Sequence, residues 1–185
     1  MDQLAMLLFL DTEYTGLGHR YGQHGPKLIS LALVAEDGSR EFYVELADTW
    51  IPEECTPFVL REVLPLLDGP RLRHANARAS LRAWLSDAPR AVQAACDSET
   101  DWFFLLDLLG SPRPTNLADR YYDLRSLVDT TTHDRTVAAY YETDARQHHA
   151  LADAHAYRRG WLAWMDNRRK CTATSPCSAR RQNSD

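Results

Sequence analysis

Leu7-Leu8-Phe9-Leu10-Asp11-Thr12-Glu13-Tyr14-Thr15-Gly16-Leu17 decides the reading of this chain: an apolar strand runs straight into two carboxylates spaced two apart. Residues i and i+2 of an extended chain share a face, so Asp11 and Glu13 point the same way at the strand's end. A buried pair of like charges is tolerable only with a cation between them. Hard oxygen ligands of this kind select Mg²⁺ or Mn²⁺. For the motif taken alone, a solvated strand end is the alternative.

Two further stretches carry the same chemistry. His148-His149-Ala150-Leu151-Ala152-Asp153-Ala154 has the form His-x-Ala-x-x-Asp-Ala, and Asp97-Ser98-Glu99-Thr100-Asp101 joins a strand-like segment, 91–96, to the aromatic run Trp102-Phe103-Phe104. On these three stretches, over residues 5 to about 165, the chain resembles the DEDDh 3′–5′ exonucleases of the ribonuclease H-like superfamily. The family's first motif, Asp-x-Glu-Thr-Thr-Gly-Leu, appears as Asp11 to Leu17, and its third is complete at His148 to Ala154. The second, usually Asn-x-x-Phe-Asp, reads Asp97 to Asp101, so Asp101 takes the ligand's place and Asp97 the asparagine's; the choice between the two stays open. With the Ile/Leu/Val strand before Gly38, the pattern is most similar to the small bacterial 3′–5′ exoribonucleases.

The resemblance implies an α/β fold, a ribonuclease H-like mixed central sheet flanked by helices, and hydrolysis of phosphodiester bonds from the 3′ end of RNA. Such chemistry uses two Mg²⁺ or Mn²⁺ ions about 3.5–4 Å apart, serving nucleophile and leaving group. Asp11 is then the bridging ligand, Glu13 and Asp153 complete one metal, Asp101 holds the other, and His148 is the general base. Single-stranded RNA or an RNA 3′ overhang is the implied partner, with DNA possible, and a homodimer is the implied assembly. Tyr14 and Leu17 are the candidate substrate-binding residues, with His19 and Tyr21 nearby, and plain packing is the competing role.

Spacing adds an independent constraint. Five residues of helix advance about 140° beyond a full turn, so His148 and Asp153 cannot share a helical face. His148 is expected in the loop before the helix, with Asp153 in its first turns and His149 facing solvent. An imidazole titrates near working pH, which suits a general base.

The 185 residues, 44% of them hydrophobic, suit one domain with a full core. The apolar stretch at 4–10 is too short to cross a bilayer and lacks a basic flank, so neither anchor nor signal peptide is expected, and the cytoplasm is the default compartment. Four cysteines form no Cys-x-x-Cys pair, which agrees with a reducing environment. A net charge of −5 disfavours a broad grip on long duplexes and favours a short substrate end. Arg71, Arg73, Arg78, Arg82 and Arg90 are either a solvated helix face or the wall of a groove.

Strands are expected at 6–12, 28–36 and 40–46, the last two joined by a turn at Asp37-Gly38-Ser39. Thr56-Pro57 predicts a helix start, with Phe58, Val59, Val63, Leu64 and Leu67 at helical spacing. A helix at 75–86, a strand at 91–96, a helix through Leu109 and a strand at 120–124 follow, then a polar stretch at 129–135. The last helix is expected from His149 or Ala150 to about Asp166, with Trp102 and Phe103 assigned to the core. Residues 1–166 are thus read as the exonuclease domain and 167–185 as a disordered basic tail.

Two other classes compete. Haloacid-dehalogenase-like phosphatases also start with a strand and Asp-x-x-x-Thr, making Asp11 a nucleophile. They want a second Asp where Glu13 stands, a mid-chain lysine and a late Gly-Asp pair; here no lysine lies between Lys27 and Lys170 and no Gly-Asp occurs. A catalytically silent, nucleic-acid-binding relative is the other reading.

Overall fold

Strand β1 (Met6–Tyr14) carries apolar side chains on both faces from Met6 to Leu10, and its position explains why. In the computed structural model, which describes residues 5–16, 25–128 and 130–173, β1 lies inside a six-stranded mixed sheet. The other strands are β2 (Leu28–Ala35), β3 (Glu41–Leu46), β4 (Arg71–Leu72), β5 (Val92–Cys96) and β6 (Tyr122–Asp123), in the order β4-β3-β2-β1-β5-β6. β1 runs antiparallel to β2 and parallel to β5. The helices are α1 (His74–Ser86), α2 (Glu99–Leu109), α3 (Arg125–Val128), α4 (Thr131–Thr143) and α5 (Ala150–Ala173).

Period-two alternation divides β1 between two layers. Met6, Leu8 and Leu10 join a core with Leu81 and Leu85 of α1 and Leu105 and Leu108 of α2. Leu7 and Phe9 join the opposite core with Leu124, Leu127 and the α5 aromatics, Phe9 meeting Trp161 at a ring-centroid distance of 5.7 Å. Each such side chain, fully buried, contributes about 1.5–3 kcal/mol. The same alternation sends Asp11 and Glu13 toward α5 and Thr12 toward α2.

The ribonuclease H-like sheet and its flanking helices match expectation, and the strands on either side of Gly38 fall within one residue of their expected bounds. Gly38, at φ 73°, makes the turn between them, where Ala35 N–H donates to the Arg40 carbonyl at 3.0 Å.

Four expectations are corrected. The helix expected after Thr56 starts as predicted, with Thr56 Oγ1 accepting from Val59 N–H at 3.3 Å, but winds as a π-helix over Val59–Val63 and a 3-10 turn over Leu64–Leu66. Pro65 is the cause: it has no N–H, and its ring crowds the carbonyl four residues back. The polar stretch at 129–135 contains the start of α4, capped by Thr130 Oγ1 accepting from His133 N–H at 3.3 Å. Its β-branched threonines weaken helix propensity, and packing of Tyr140 and Val137 on Ala152 and Ala156 offsets that. α5 continues past Asp166 to Ala173, where Asn167 Nδ2 donates to Thr132 Oγ1 at 2.9 Å and the Arg168 guanidinium lies 4.6 Å from the Trp164 ring. Trp102 is buried as expected, whereas Phe103 is exposed.

Three of the five clustered arginines brace the scaffold. Arg78 Nε donates to Leu108 O at 2.8 Å, and Arg82 Nη1 donates to Leu109 O and Pro112 O at 3.0 and 2.7 Å, so both satisfy carbonyls at the end of α2. Arg90 pairs with Glu36 at 2.9 Å. Among the described residues no helix is long and apolar enough to cross a membrane.

Candidate active site

The end of β1 opens into a cleft of about 760 Å³ lined by Asp11, Glu13, Tyr14, Asp97, Asp101, His148 and Asp153. Four segments supply these groups: β1, the turn after β5 with the start of α2, the turn before α5, and α5 itself. Asp101 lies in the first turn of α2, which Ser98 caps by accepting from Thr100 N–H at 3.1 Å. Because Thr12 faces α2, its Oγ1 donates to Asp101 Oδ1 at 2.5 Å, which fixes that carboxylate at the strand's end.

Asp153 is held from two sides. Tyr141 of α4 donates its hydroxyl to Oδ1 at 2.6 Å, and the His148 backbone N–H donates to Oδ2 at 3.1 Å. His148 stands in the turn before α5, as spacing required, in the left-handed region at φ 72°. Its ring meets Phe58 edge-on with centroids 4.9 Å apart. Potential ligand atoms of Glu13, His148 and Asp153 all lie within 4.8 Å of one another. Asp97 Oδ2 accepts from the Tyr157 hydroxyl at 3.0 Å.

Burial and mutual repulsion set the electrostatics. Asp11 is pushed well above the usual carboxylate range, first by burial and then by Asp101, Asp153, Glu13 and Asp97. Glu13 rises to about 8 through burial, Asp153 and Asp101. Asp101 rises to about 7, mainly through burial, with the Thr12 hydrogen bond working against the rise. Burial raises Asp153 too, while the bonds from Tyr141 and the His148 N–H pull it back. The Tyr141 and Tyr157 phenols are driven far up by burial and neighbouring carboxylates, so both remain protonated donors.

No lysine or arginine is among the described residues lining the cleft. Carboxylates crowded this way without a cationic side chain suit divalent ions with hard oxygen preference. The donor set therefore fits divalent metal ions, which Glu13, Asp153, Asp11 and Asp101 could hold.

The six residues Asp11, Glu13, Tyr14, Asp101, His148 and Asp153 thus meet around one cleft, and Leu17, His19 and Tyr21 lie outside the described residues. Tyr14 packs on Phe104 at 5.4 Å between ring centroids and also lines the cleft. One expectation fails: His149 is buried, because its ring turns inward against Tyr43 at 4.7 Å. Sequence offers no site role for Tyr141, Tyr157 or Phe58, and all three line the cleft. Val137, Tyr140 and Tyr141 at i, i+3 and i+4 after a threonine cap were the available signal for α4 and its tyrosine.

A mixed six-stranded sheet flanked by helices, with this strand order, is the ribonuclease H-like fold. Among solved structures, the chain is similar to the crystallographic structure of the nuclease domain of 3′hExo, a DEDDh family member, bound to rAMP. The TM-score is 0.60 at 12% identity, covering 88% of this chain and 92% of that one. At that identity the likeness is one of fold. No protein-family model and no curated protein matches the sequence.

Proposed function

We propose that this protein is a metal-dependent 3′–5′ exoribonuclease of the DEDDh kind, most similar to the small bacterial enzymes and acting in the cytoplasm. One observation carries the reading: His148, Glu13 and Asp153 converge within 4.8 Å in a carboxylate-lined cleft. The shared fold with a DEDDh nuclease domain supports it, and the ribonucleotide bound to that neighbour supports RNA as substrate. The motif resemblance carries the expectation of a homodimer.

Asp11, Glu13, Asp101 and Asp153 would hold divalent ions, which would supply positive charge for the attacking and leaving oxygens of the phosphodiester. The chain's own groups do the rest. His148 takes the proton of the attacking water on its ring nitrogen. Tyr141 and the His148 N–H hold the Asp153 carboxylate in one orientation, and Thr12 does the same for Asp101. Tyr14 and Phe58 offer aromatic surface to the terminal base.

The test is incubation with matched 5′-labelled RNA and DNA oligonucleotides, with and without Mg²⁺ or Mn²⁺. A ladder shortening from the 3′ end of RNA, dependent on metal, is the expected result. Shortening of DNA alone would make the protein an exodeoxyribonuclease, and binding without cleavage would make it a silent relative.

A further inference from the structure

A residue bearing a side chain stays in the left-handed region only where its surroundings over-determine it, and His148 lies there at φ 72°. The neighbouring His149 supplies such surroundings. Its side chain is wholly buried. Nδ1 accepts the Ala152 backbone N–H at 3.4 Å, capping the first turn of α5. With Nδ1 an acceptor, the ring proton of the neutral imidazole sits on Nε2, which donates to Asp68 Oδ1 at 3.1 Å.

The seat of that ring is itself braced. Tyr43 lies against it and donates its hydroxyl to Glu45 Oε1 at 3.1 Å. The same oxygen of buried Glu45 accepts from Gly69 N–H at 2.6 Å, next to Asp68. Gly69 is required there, since a Cβ would overlap the Tyr43 ring. The second Asp68 oxygen accepts from Arg146 Nη1 at 3.2 Å, and Arg146 also forks onto Asp144 through Nε and Nη2, each at 2.9 Å. Donation from His149 N–H to the Arg146 carbonyl at 3.1 Å closes the turn. Asp68 therefore grips the residues on both sides of His148.

We propose that His149, tied to Asp68, is the positioning residue that holds His148 in its left-handed conformation and so keeps the His148 ring beside Glu13 and Asp153. The consequence for turnover rests on the nuclease reading above; the consequence for backbone conformation does not.

The experiment compares wild type, His149→Ala, His149→Asn and Asp68→Ala by kcat and KM on an RNA oligonucleotide with Mg²⁺, alongside crystal structures of the variants. His149→Ala is expected to lower kcat by about 10–100-fold, the range for residues that orient a functional group, with KM changed less than about threefold. Asn retains an oxygen that caps the Ala152 N–H without the Nε2 link to Asp68, so His149→Asn should recover only part of the loss. Asp68 is 58% exposed, so its alanine variant should fold. Its defect should not add to that of His149→Ala, because both break one link. The His148 φ should leave the left-handed region in His149→Ala. Wild-type kcat in both alanine variants, or crystal structures of them in which His148 keeps φ near 72°, would overturn the inference. A wild-type protein that cleaves neither RNA nor DNA overturns the nuclease reading instead, and the variant structures still decide the conformational claim.

Discussion

Removing one negative charge from the cleft should stabilise the metal-free protein, and Asp101→Asn is the cleanest way to see it. Asp101 is 4% exposed and its carboxyl is raised from the ordinary 3.8 to about 7, chiefly by burial. Below pH 3.8 the group is protonated whether folded or unfolded, so it costs nothing. As pH rises from 3.8 to about 7 the unfolded chain ionises and the folded one does not; the penalty grows across that window and is constant above it. At about 1.36 kcal/mol per pH unit, the penalty reaches roughly 4 kcal/mol as an upper bound. Asparagine keeps an oxygen to accept the Thr12 hydroxyl, as the protonated carboxyl does. A gain of at most about 4 kcal/mol corresponds to a Tm higher by at most roughly 8–16 °C for a domain of this size. Thermal melts by circular dichroism in EDTA should show the two proteins converging near pH 4 and separating up to pH 8. Added Mg²⁺ should narrow the gap by stabilising wild type more. A variant that melts at or below the wild-type temperature at pH 8 without metal would refute the account of the cleft as uncompensated negative charge.

Three further outcomes follow from the geometry. With the proposed role of His148 as general base, His148→Ala should lower turnover by about 10²–10⁴-fold, while isothermal calorimetry still detects Mn²⁺ binding through the carboxylates. Tyr141→Phe, which removes the 2.6 Å bond to Asp153, should weaken metal activation by about 10–100-fold, read as a rightward shift of the Mg²⁺ dependence of the rate. Arg82→Ala should cost about 1–2 kcal/mol in urea unfolding, through two lost bonds, one to the carbonyl that ends α2 and one to Pro112 O in the loop beyond it, and leave KM for RNA unchanged; a raised KM would restore the arginine cluster as a groove wall.

Much of the architecture is legible in the chain because it follows from local periodicity. A period of two in Leu7 to Glu13 dictates that Asp11 and Glu13 share the face of Phe9, and the same rule aims them at whatever element covers Phe9. The 100° step of a helix separates His148 from Asp153 before any coordinate is known. Where periodicity is masked, legibility fails: α4 hides behind threonines of low helix propensity, and Pro65 rewinds a segment whose apolar spacing alone predicts an α-helix.

What only the tertiary structure decided are the partners. Thr12 and Asp101 are 89 residues apart, Asp97 and Tyr157 are 60 apart, and Asp68 and His149 are 81 apart. No local pattern marks one of these residues as the other's donor or acceptor, since the pairing depends on how layers stack on the sheet. The arginines show the same limit: their charge suggested phosphate, and packing of α1 on α2 gave Arg78 and Arg82 backbone carbonyls instead. His149 is the sharpest case. In sequence it is the variable neighbour of His148, and only the fold of the Asp68 loop and Tyr43 against α5 turns it inward, because a buried imidazole is tolerated where both ring nitrogens find partners.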